Sequence, residues 1–147
     1  MKAKAYFEDV LNATKRAAAL QSVADTLDAT AGAVKSIQYD RVQGGVAKNG
    51  AKNTDSILNT VSRVDAARDR AIGAREVALS LVSEASAIIE RALEEPDADV
   101  LCLMAVHEYY LRGRTDAEIA ALESVDVSRI NRRRHRGLSK LEPLIPR

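Results

Sequence analysis

Apolar and small residues recur at alternating steps of four and three along the first quarter of the chain. They fall at Tyr6, Val10, Ala13, Ala17, Leu20, Ala24, Leu27, Ala31 and Val34. A seven-residue repeat of this kind predicts an amphipathic helix that packs along one narrow seam, as in a coiled coil. No proline interrupts the pattern, so we expect a single long helix from Met1 to about Lys35.

A second repeat predicts another long helix, which begins at Thr54 or Asp55 and runs to about Glu94. Its seam passes through Ile57, Val61, Val64, Ala71, Ala78, Val82, Ala85 and Ile89, with Arg68 and Arg75 at two further seam positions. Residues 36–53 contain three glycines and no sustained period, which is typical of a loop. Two long helices joined by a loop predict an antiparallel coiled-coil hairpin over residues 1–95.

The pattern changes to short elements after Pro96, so we place a domain boundary there and a second domain at residues 96–147. Asp97 or Asp99 is expected to cap a first short helix. That helix has apolar or boundary residues near one face, at Val100, Leu103, Met104, His107 and Leu111.

Two further short helices complete this second domain. Thr115 and Glu118 stand in the spacing of a capping box, and they precede three residues expected to face inward, Ile119, Ala120 and Leu122. After a short turn, Asp126 is expected to cap a last helix at residues 127–141, which Pro143 stops. Its apolar side is predicted to consist of Val127, Ile130, Leu138 and Leu141. The predicted fold class is therefore all-α, a two-helix hairpin followed by a small three-helix helix-turn-helix domain.

Charge is distributed unevenly, although the net charge is only +1. Residues 129–147 hold seven of the 22 Lys and Arg residues and one of the 21 acidic residues. The rest of the chain is therefore acidic, and a basic end on an acidic body indicates a polyanionic partner.

A recognition helix in a DNA major groove would use such a segment, since Arg pairs with guanine and Asn with adenine. The predicted DNA-binding residues are Ser128, Arg129, Asn131, Arg132, Arg133, Arg136 and Lys140. Arg136 and Lys140 are expected to contact phosphates.

The sequence gives no indication of an enzyme. One cysteine, Cys102, and two distant histidines, His107 and His135, cannot form a four-ligand zinc site, and no catalytic triad or carboxylate pair stands in a suitable context. We expect no cofactor, no metal and no catalytic residue. We interpret Cys102 as a small buried hydrophobe, His107 as a core or boundary residue and His135 as a groove or solvent residue. No run of apolar residues is long enough to span a membrane, and we expect a cytoplasmic protein.

The stretch "TDAEIAALESVDVSRINRRRHRGLSKLEPL" resembles the C-terminal part of small phage proteins related to region 4 of sigma-70 factors. It is also similar to phage late transcription regulators of the ArpU and RinA type, and "MKAKAYFEDV" and "YDRVQGG…KNTD" look like parts of the same proteins. The resemblance implies a phage or prophage protein of the bacterial cytoplasm that binds promoter DNA, with RNA polymerase as a further partner. Three positions depart from the pattern: Ser124 replaces a turn glycine, Glu123 an apolar residue, and Gly137 an alanine.

Other interpretations remain open. The basic helix could be solvated, or it could pair with acidic residues of another copy. Alternatively, the whole protein is a structural adaptor, whose partners include RNA polymerase. In all of them the long helices are packing surfaces, and we expect a homo-oligomer, with a dimer favoured. The loop "GVAKNGAK" does not form a phosphate loop, because Ala51 precedes Lys52 and Asn53 replaces the hydroxyl residue. Asp40, Arg41 and Gln43 either cap the hairpin or form a partner-binding tip.

Overall fold

Helices make up most of the part of the chain that the structure describes. The computed structural model describes the backbone of residues 1–42 and 50–147 and the side chains of residues 1–33 and 58–147. Within these ranges there are five α-helices and no strand: α1 (Lys2–Val42), α2 (Gly50–Leu93), α3 (Val100–Val106), α4 (Asp116–Glu123) and α5 (Val127–Leu141). A π-helical turn, His107–Leu111, continues α3, and a 3₁₀ turn, Glu142–Leu144, continues α5. The predicted all-α fold class is confirmed.

The two long helices pack on each other along the predicted seam. Near the start of α1, Phe7 and Val10 share a core with Ala85 and Ile89 of α2. Farther along α1, Ala24 packs with Ala67 and Ala71, which lie earlier in α2, so the helices run antiparallel. Every predicted seam position of α1 from residue 6 to residue 31 is buried or half-buried. The side chains of Val34 and Ile57 lie outside the described residues.

Both long helices extend into the segment 36–53 that we predicted to be a loop. α1 continues to Val42 and α2 already begins at Gly50. Residues without an apolar repeat can still extend a helix, because each added residue contributes one hydrogen bond once the first turn exists. Residues 43–49, and the side chains of Asp40, Arg41 and Gln43, lie outside the described residues.

The chain divides into two compact units. One consists of Met1–Thr14 with Val77–Arg147, and the other of Lys15–Glu76. This division differs from the boundary that we placed at residue 96, since the ends of both long helices belong to the same unit as α3 to α5. The reason lies in one shared core of large and small side chains: Ala3, Phe7, Val10, Leu11, Ala85, Ile88, Ile89, Ala92, Leu103, Val106, Tyr110, Leu138 and Leu141.

In the unit formed by residues 15–76, alanine dominates the buried seam. Ala24, Ala67 and Ala71 are buried, and Leu20 and Leu27 pack against them. Small side chains bury little apolar area, so each contact stabilises this helix pair only modestly. Arg68, a polar residue at a seam position, donates to Asp28 across the pair at 2.6 Å. This ion pair fixes the register of the two helices at an exposed edge of the seam.

The carboxylate of Glu142 caps the first turn of α1. Its oxygens accept hydrogen bonds from the backbone N–H groups of Lys2 and Ala3 at 2.8 and 2.9 Å. Four N–H groups at the start of a helix have no partner within the helix, so a carboxylate there is well placed. The hydrogen bonds from Ala3 and Lys2 hold the pKa of Glu142 below its usual value. A residue just after α5 thus orders the start of α1.

α3 buries more of its surface than its sequence predicts. Cys102, Leu103, Ala105 and Val106 are buried, whereas Val100, expected on the inner face, is exposed. α3 contacts the long-helix core on one side and α5 on another, so a single inward stripe does not describe it. None of the helices in the described ranges combines the length and apolar character that crossing a membrane requires.

Gly137 allows α5 to lie directly against α3. A Cβ atom at this position would overlap the carbonyl oxygen of Cys102 and come within 2.7 Å of Cγ2 of Val106. In the sequence this glycine is only a departure from the resembled pattern, where it replaces an alanine. The structure gives the reason for it, because no side chain fits between the two backbones.

We therefore expect Gly137→Ala to destabilise the protein by about 1–3 kcal/mol, the usual cost of overpacking a core. Gly73 is a matched control, since it lies inside α2 with nothing within 4 Å of its added Cβ. Gly73→Ala should stabilise the protein by about 0.5–1 kcal/mol through helix propensity. Urea unfolding followed by circular dichroism measures both changes. A Gly137→Ala protein as stable as wild type would contradict the close packing of α5 against α3.

Candidate nucleic-acid interface

α4 begins with the predicted capping box. Thr115 accepts a hydrogen bond from the backbone N–H of Glu118 at 3.2 Å, and the Glu118 carboxylate accepts from the backbone N–H of Thr115 at 3.3 Å. The prediction from the spacing of these two residues is confirmed. The cap fixes where α4 starts, and with it the position of Asp116, the first residue of the helix.

A three-residue turn joins α4 to α5. Ser124 adopts a left-handed conformation, with φ of 53° and ψ of 45°, and ends α4. Glycine is the usual residue here because it lacks the Cβ that makes this conformation costly. Asp126 occupies the N-cap position of α5, as predicted, but its side chain makes no capping hydrogen bond. The turn is thus held mainly by its flanking helices.

A small apolar cluster fastens α5 to α4. Ile119 and Ala120 of α4 and Ile130 of α5 are buried, with Tyr109 and Val125 packed against them. The prediction that Ile130 roots the basic helix in the core is confirmed. Two residues predicted to face inward, Leu122 and Val127, are instead 65% and 50% exposed. They lie in the last turn of α4 and at the start of α5, beyond the reach of this cluster.

Arg134 is the buried charge of this region. Only 8% of it is exposed. Its Nε and Nη2 donate to the two carboxylate oxygens of Asp116 at 3.1 and 3.0 Å, and its Nη1 donates to the Tyr110 hydroxyl at 3.2 Å. The guanidinium lies over the Tyr109 ring, 4.1 Å from its centre. A two-pronged Arg–carboxylate pair is strongly directional, so it sets the orientation of α5 relative to the start of α4.

The π-helical turn brings two consecutive tyrosines next to this guanidinium. The backbone N–H of Arg112 donates to the carbonyl of His107, five residues earlier, at 3.2 Å. Such a turn rotates the chain less per residue than an α-helix, and π-turns are frequent at functional sites. Tyr109 and Tyr110 consequently lie edge to face, with ring centres 4.8 Å apart, and both approach Arg134.

The pKa of Asp116 reflects its partners. Burial acts to raise the pKa of this carboxyl, but hydrogen bonds from Arg134 and Asn131, together with the Arg134 charge, bring it below its usual value. For Arg134, burial opposes the charge, whereas the bonds to Asp116 and Tyr110 outweigh that effect and raise its pKa. Both groups are therefore charged at neutral pH, and each offsets the other's loss of hydration.

Two of the predicted DNA-binding residues have partners within the protein. Asn131 is half-buried, and its amide donates to Asp116 at 3.3 Å. Arg133 is also half-buried and donates to the carboxylate of Glu123, near the end of α4, at 2.5 Å. Glu123, the second departure from the family pattern, thus pairs with a cation of the basic helix.

The other five predicted residues are exposed on α5: Ser128, Arg129, Arg132, Arg136 and Lys140. Four of them are cations at successive spacings of three, four and four residues, so they share one face of the helix. We call Arg129, Arg132, Arg136 and Lys140 the basic stripe. Within the described part of the chain, no hydrogen bond or ion pair engages these four side chains. Asp99 lies near one end of the stripe. Hydrogen bonding with Cys102 lowers the pKa of Asp99 most, and the charges of Arg136 and Lys140 lower it further.

Sequence reasoning gave Arg134 no specific role, although it included the residue in the basic segment. The available signal was its spacing. Arg134 lies four residues after Ile130 and four before Leu138, so a helix places it on the buried side with them. A charge at such a position requires a buried partner, and Asp116 provides it.

The other residues that we considered for chemistry are Cys102, His107 and His135. Cys102 is buried, as predicted, and burial together with Asp99 raises the pKa of its thiol to about 11. His135 is exposed and His107 is half-buried. Among the residues with described side chains, no three histidine, cysteine or acidic residues are grouped closely enough to hold a metal ion.

Comparisons with known proteins add no relative. No protein-family model matches the chain, no curated protein matches it, and no solved structure matches its fold.

The Asp116–Arg134 pair predicts a pH-dependent stability. Because its pKa is lowered in the folded state, Asp116 stabilises the protein above its ordinary pKa of about 4, and this contribution is lost as pH falls through the folded-state pKa. We expect Asp116→Asn to cost about 1–3 kcal/mol at pH 7, since Arg134 would keep its buried charge without a carboxylate. The difference from wild type should shrink towards zero in acid. Urea unfolding between pH 7 and pH 2–3 measures it.

The exposed Asp97 provides a control of the same chemistry. Asp97→Asn should follow the wild-type stability at every pH. A constant gap between wild type and Asp116→Asn down to the lowest pH would show that the Asp116 charge does not stabilise the fold.

The left-handed Ser124 predicts that glycine is better at this position. Ser124→Gly should stabilise the protein by about 0.5–1 kcal/mol, because relief of the strained backbone exceeds the added flexibility of the unfolded chain. In the exposed interior of α2, the same change at Ser83 should instead destabilise by about 0.5 kcal/mol. Thermal unfolding compares the two. A loss of stability in Ser124→Gly would mean that the hydroxyl has a stabilising role.

Proposed function

We propose that this protein binds double-stranded DNA through α5 and regulates transcription. The observation that carries the proposal is the basic stripe: Arg129, Arg132, Arg136 and Lys140 share one exposed face and form no hydrogen bond or ion pair with the described residues. A helix with this surface fits the width of the DNA major groove. The family resemblance of residues 115–144 supports the same function and adds that the DNA is a phage promoter or operator.

The anchoring of α5 supports binding rather than simple solvation. Ile130, Leu138 and Leu141 are fully buried, and Arg134 is bonded to Asp116 and Tyr110. The helix is therefore held in one orientation before any ligand arrives. A surface fixed in advance loses less conformational entropy when it binds, which favours affinity.

We assign different roles to the basic residues according to their position along α5. Arg129 and Arg132 lie in the first half of α5, the part that contacts base edges in helix-turn-helix proteins, and each can donate two hydrogen bonds to guanine. Arg136 and Lys140 lie farther along and contact phosphates. Asn131 was predicted to read adenine, but its bond to Asp116 favours a positioning role instead.

Oligomerisation through the long helices is part of the same proposal. Leu58 and Ile72 of α2, both in the unit formed by residues 15–76, are large, exposed apolar residues. They are 14 residues apart, so they recur on one side of the helix as residues of a coiled-coil seam do. A second copy is the partner that this repeat favours, and we propose a dimer.

DNA binding is tested by anisotropy titrations with a duplex selected from a random library. Replacing both Arg129 and Arg132 with Ala should weaken binding about 30-fold or more, since each lost base contact is worth ~1–3 kcal/mol. The affinity of wild type should fall with salt, with a slope of about −2 on logarithmic axes for each copy of α5, because Arg136 and Lys140 each neutralise one phosphate. Both measurements are made on the full chain.

Arg91→Ala is the matched control, because Arg91 is an exposed cation of α2 in the same compact unit. Its affinity should stay within about twofold of wild type, as expected for a charge outside the interface. Equal affinities for wild type, the double variant and the control would contradict the proposal. DNA-independent capture of RNA polymerase by such a protein would then support the adaptor interpretation.

A further inference from the structure

We propose that Glu123 limits the affinity of the protein for DNA. By pairing with Arg133 it removes one cation from contact with phosphates, so it lowers affinity for DNA of any sequence. The inference rests on the proposed function, but it concerns a residue outside the basic stripe. It also gives a physical role to a carboxylate that the family resemblance does not predict.

The geometry places this ion pair at the edge of the stripe. Arg133 lies four residues after Arg129 and three before Arg136, so it neighbours both along the surface of α5. Its Nη1 is 2.5 Å from Oε2 of Glu123, and both side chains remain partly exposed. The carboxylate therefore stands where a DNA backbone following the stripe would pass.

Glu123 makes no other contact that explains its presence. Among the described residues its carboxylate hydrogen-bonds only to Arg133. Three other acids of this unit have structural roles, since Glu118 completes the capping box, Asp99 caps α3 and Asp116 holds Arg134. A partly exposed ion pair contributes little to folding stability. Glu123 therefore changes the charge of the α5 surface but contributes little to the stability of the fold.

Charge neutralisation strengthens binding to DNA of any sequence. Each phosphate that a cation neutralises releases counterions and adds about 0.9 to the magnitude of the salt slope. Arg133 adds nothing to this sum while Glu123 neutralises it. Base contacts by Arg129 and Arg132 do not depend on the pair, so the pair lowers affinity without changing the preference between sequences.

The test compares wild type with Glu123→Gln on a mixed-sequence duplex over a range of salt concentrations. Releasing Arg133 should steepen the logarithmic salt slope by about 0.9 and raise affinity about 5- to 10-fold near 0.1 M salt. The double variant Glu123→Gln with Arg133→Gln should return to the wild-type slope, which assigns the gain to Arg133. Glu90→Gln, at an exposed acid of α2, is the control and should match wild type.

Each outcome decides the inference. An unchanged slope or a weaker affinity in Glu123→Gln would overturn it, as would a loss of fold seen by circular dichroism, because Glu123 would then be a structural residue. A double variant that keeps the steeper slope would also overturn the role of Arg133. If wild type shows no salt-dependent DNA binding, the proposed function itself fails. If wild type binds DNA but Glu123→Gln has the same salt slope, only this inference fails.

Discussion

The two-pronged bond between Arg134 and Asp116 is the interaction on which the geometry of the short helices depends. It joins the middle of α5 to the first residue of α4, and Tyr109 and Tyr110 shield it from water. A buried ion pair is a weak source of stability, because the loss of hydration offsets much of the attraction. Its value here is directional. Apolar contacts of Ile130 and Leu138 would tolerate small rotations of α5, whereas the planar guanidinium does not.

The backbone geometry around this ion pair is equally constrained. α5 can approach α3 only because position 137 has no side chain. The turn before α5 uses a serine in a left-handed conformation, and the turn after α3 uses π-helical bonding to bring two tyrosines to the guanidinium. These three local features bring α3, α4 and α5 together around one buried charge. The cap of α1 by Glu142 then attaches the first turn of the long helix to the same unit.

Much of this fold follows from residue pattern alone. Heptad spacing predicts both long helices, and the capping box and Ile130 spacing predict α4 and the buried side of α5. Less predictable are the features that depend on contacts between distant residues. Gly137 looks unfavourable until α3 is placed beside it, and Arg134 resembles its exposed neighbours until Asp116 is known to face it. Leu122 and Val127 show the converse error, since helical periodicity predicts the inner side but not how far the core extends along it. The short π-turn leaves no signature in the apolar period.

Pairing within the protein also explains why a cluster of arginines need not act as one uniform charge. Arg134 is used for structure, Arg133 is neutralised by Glu123, and Asn131 is bonded to Asp116. What remains is a narrow row of four cations rather than a broad basic surface. A broad surface would bind any polyanion, since phosphate contacts carry no sequence information. A narrow row on a fixed helix offers a polyanion fewer cations. The carboxylates of Asp116 and Glu123 therefore determine which cations of α5 remain free at its surface.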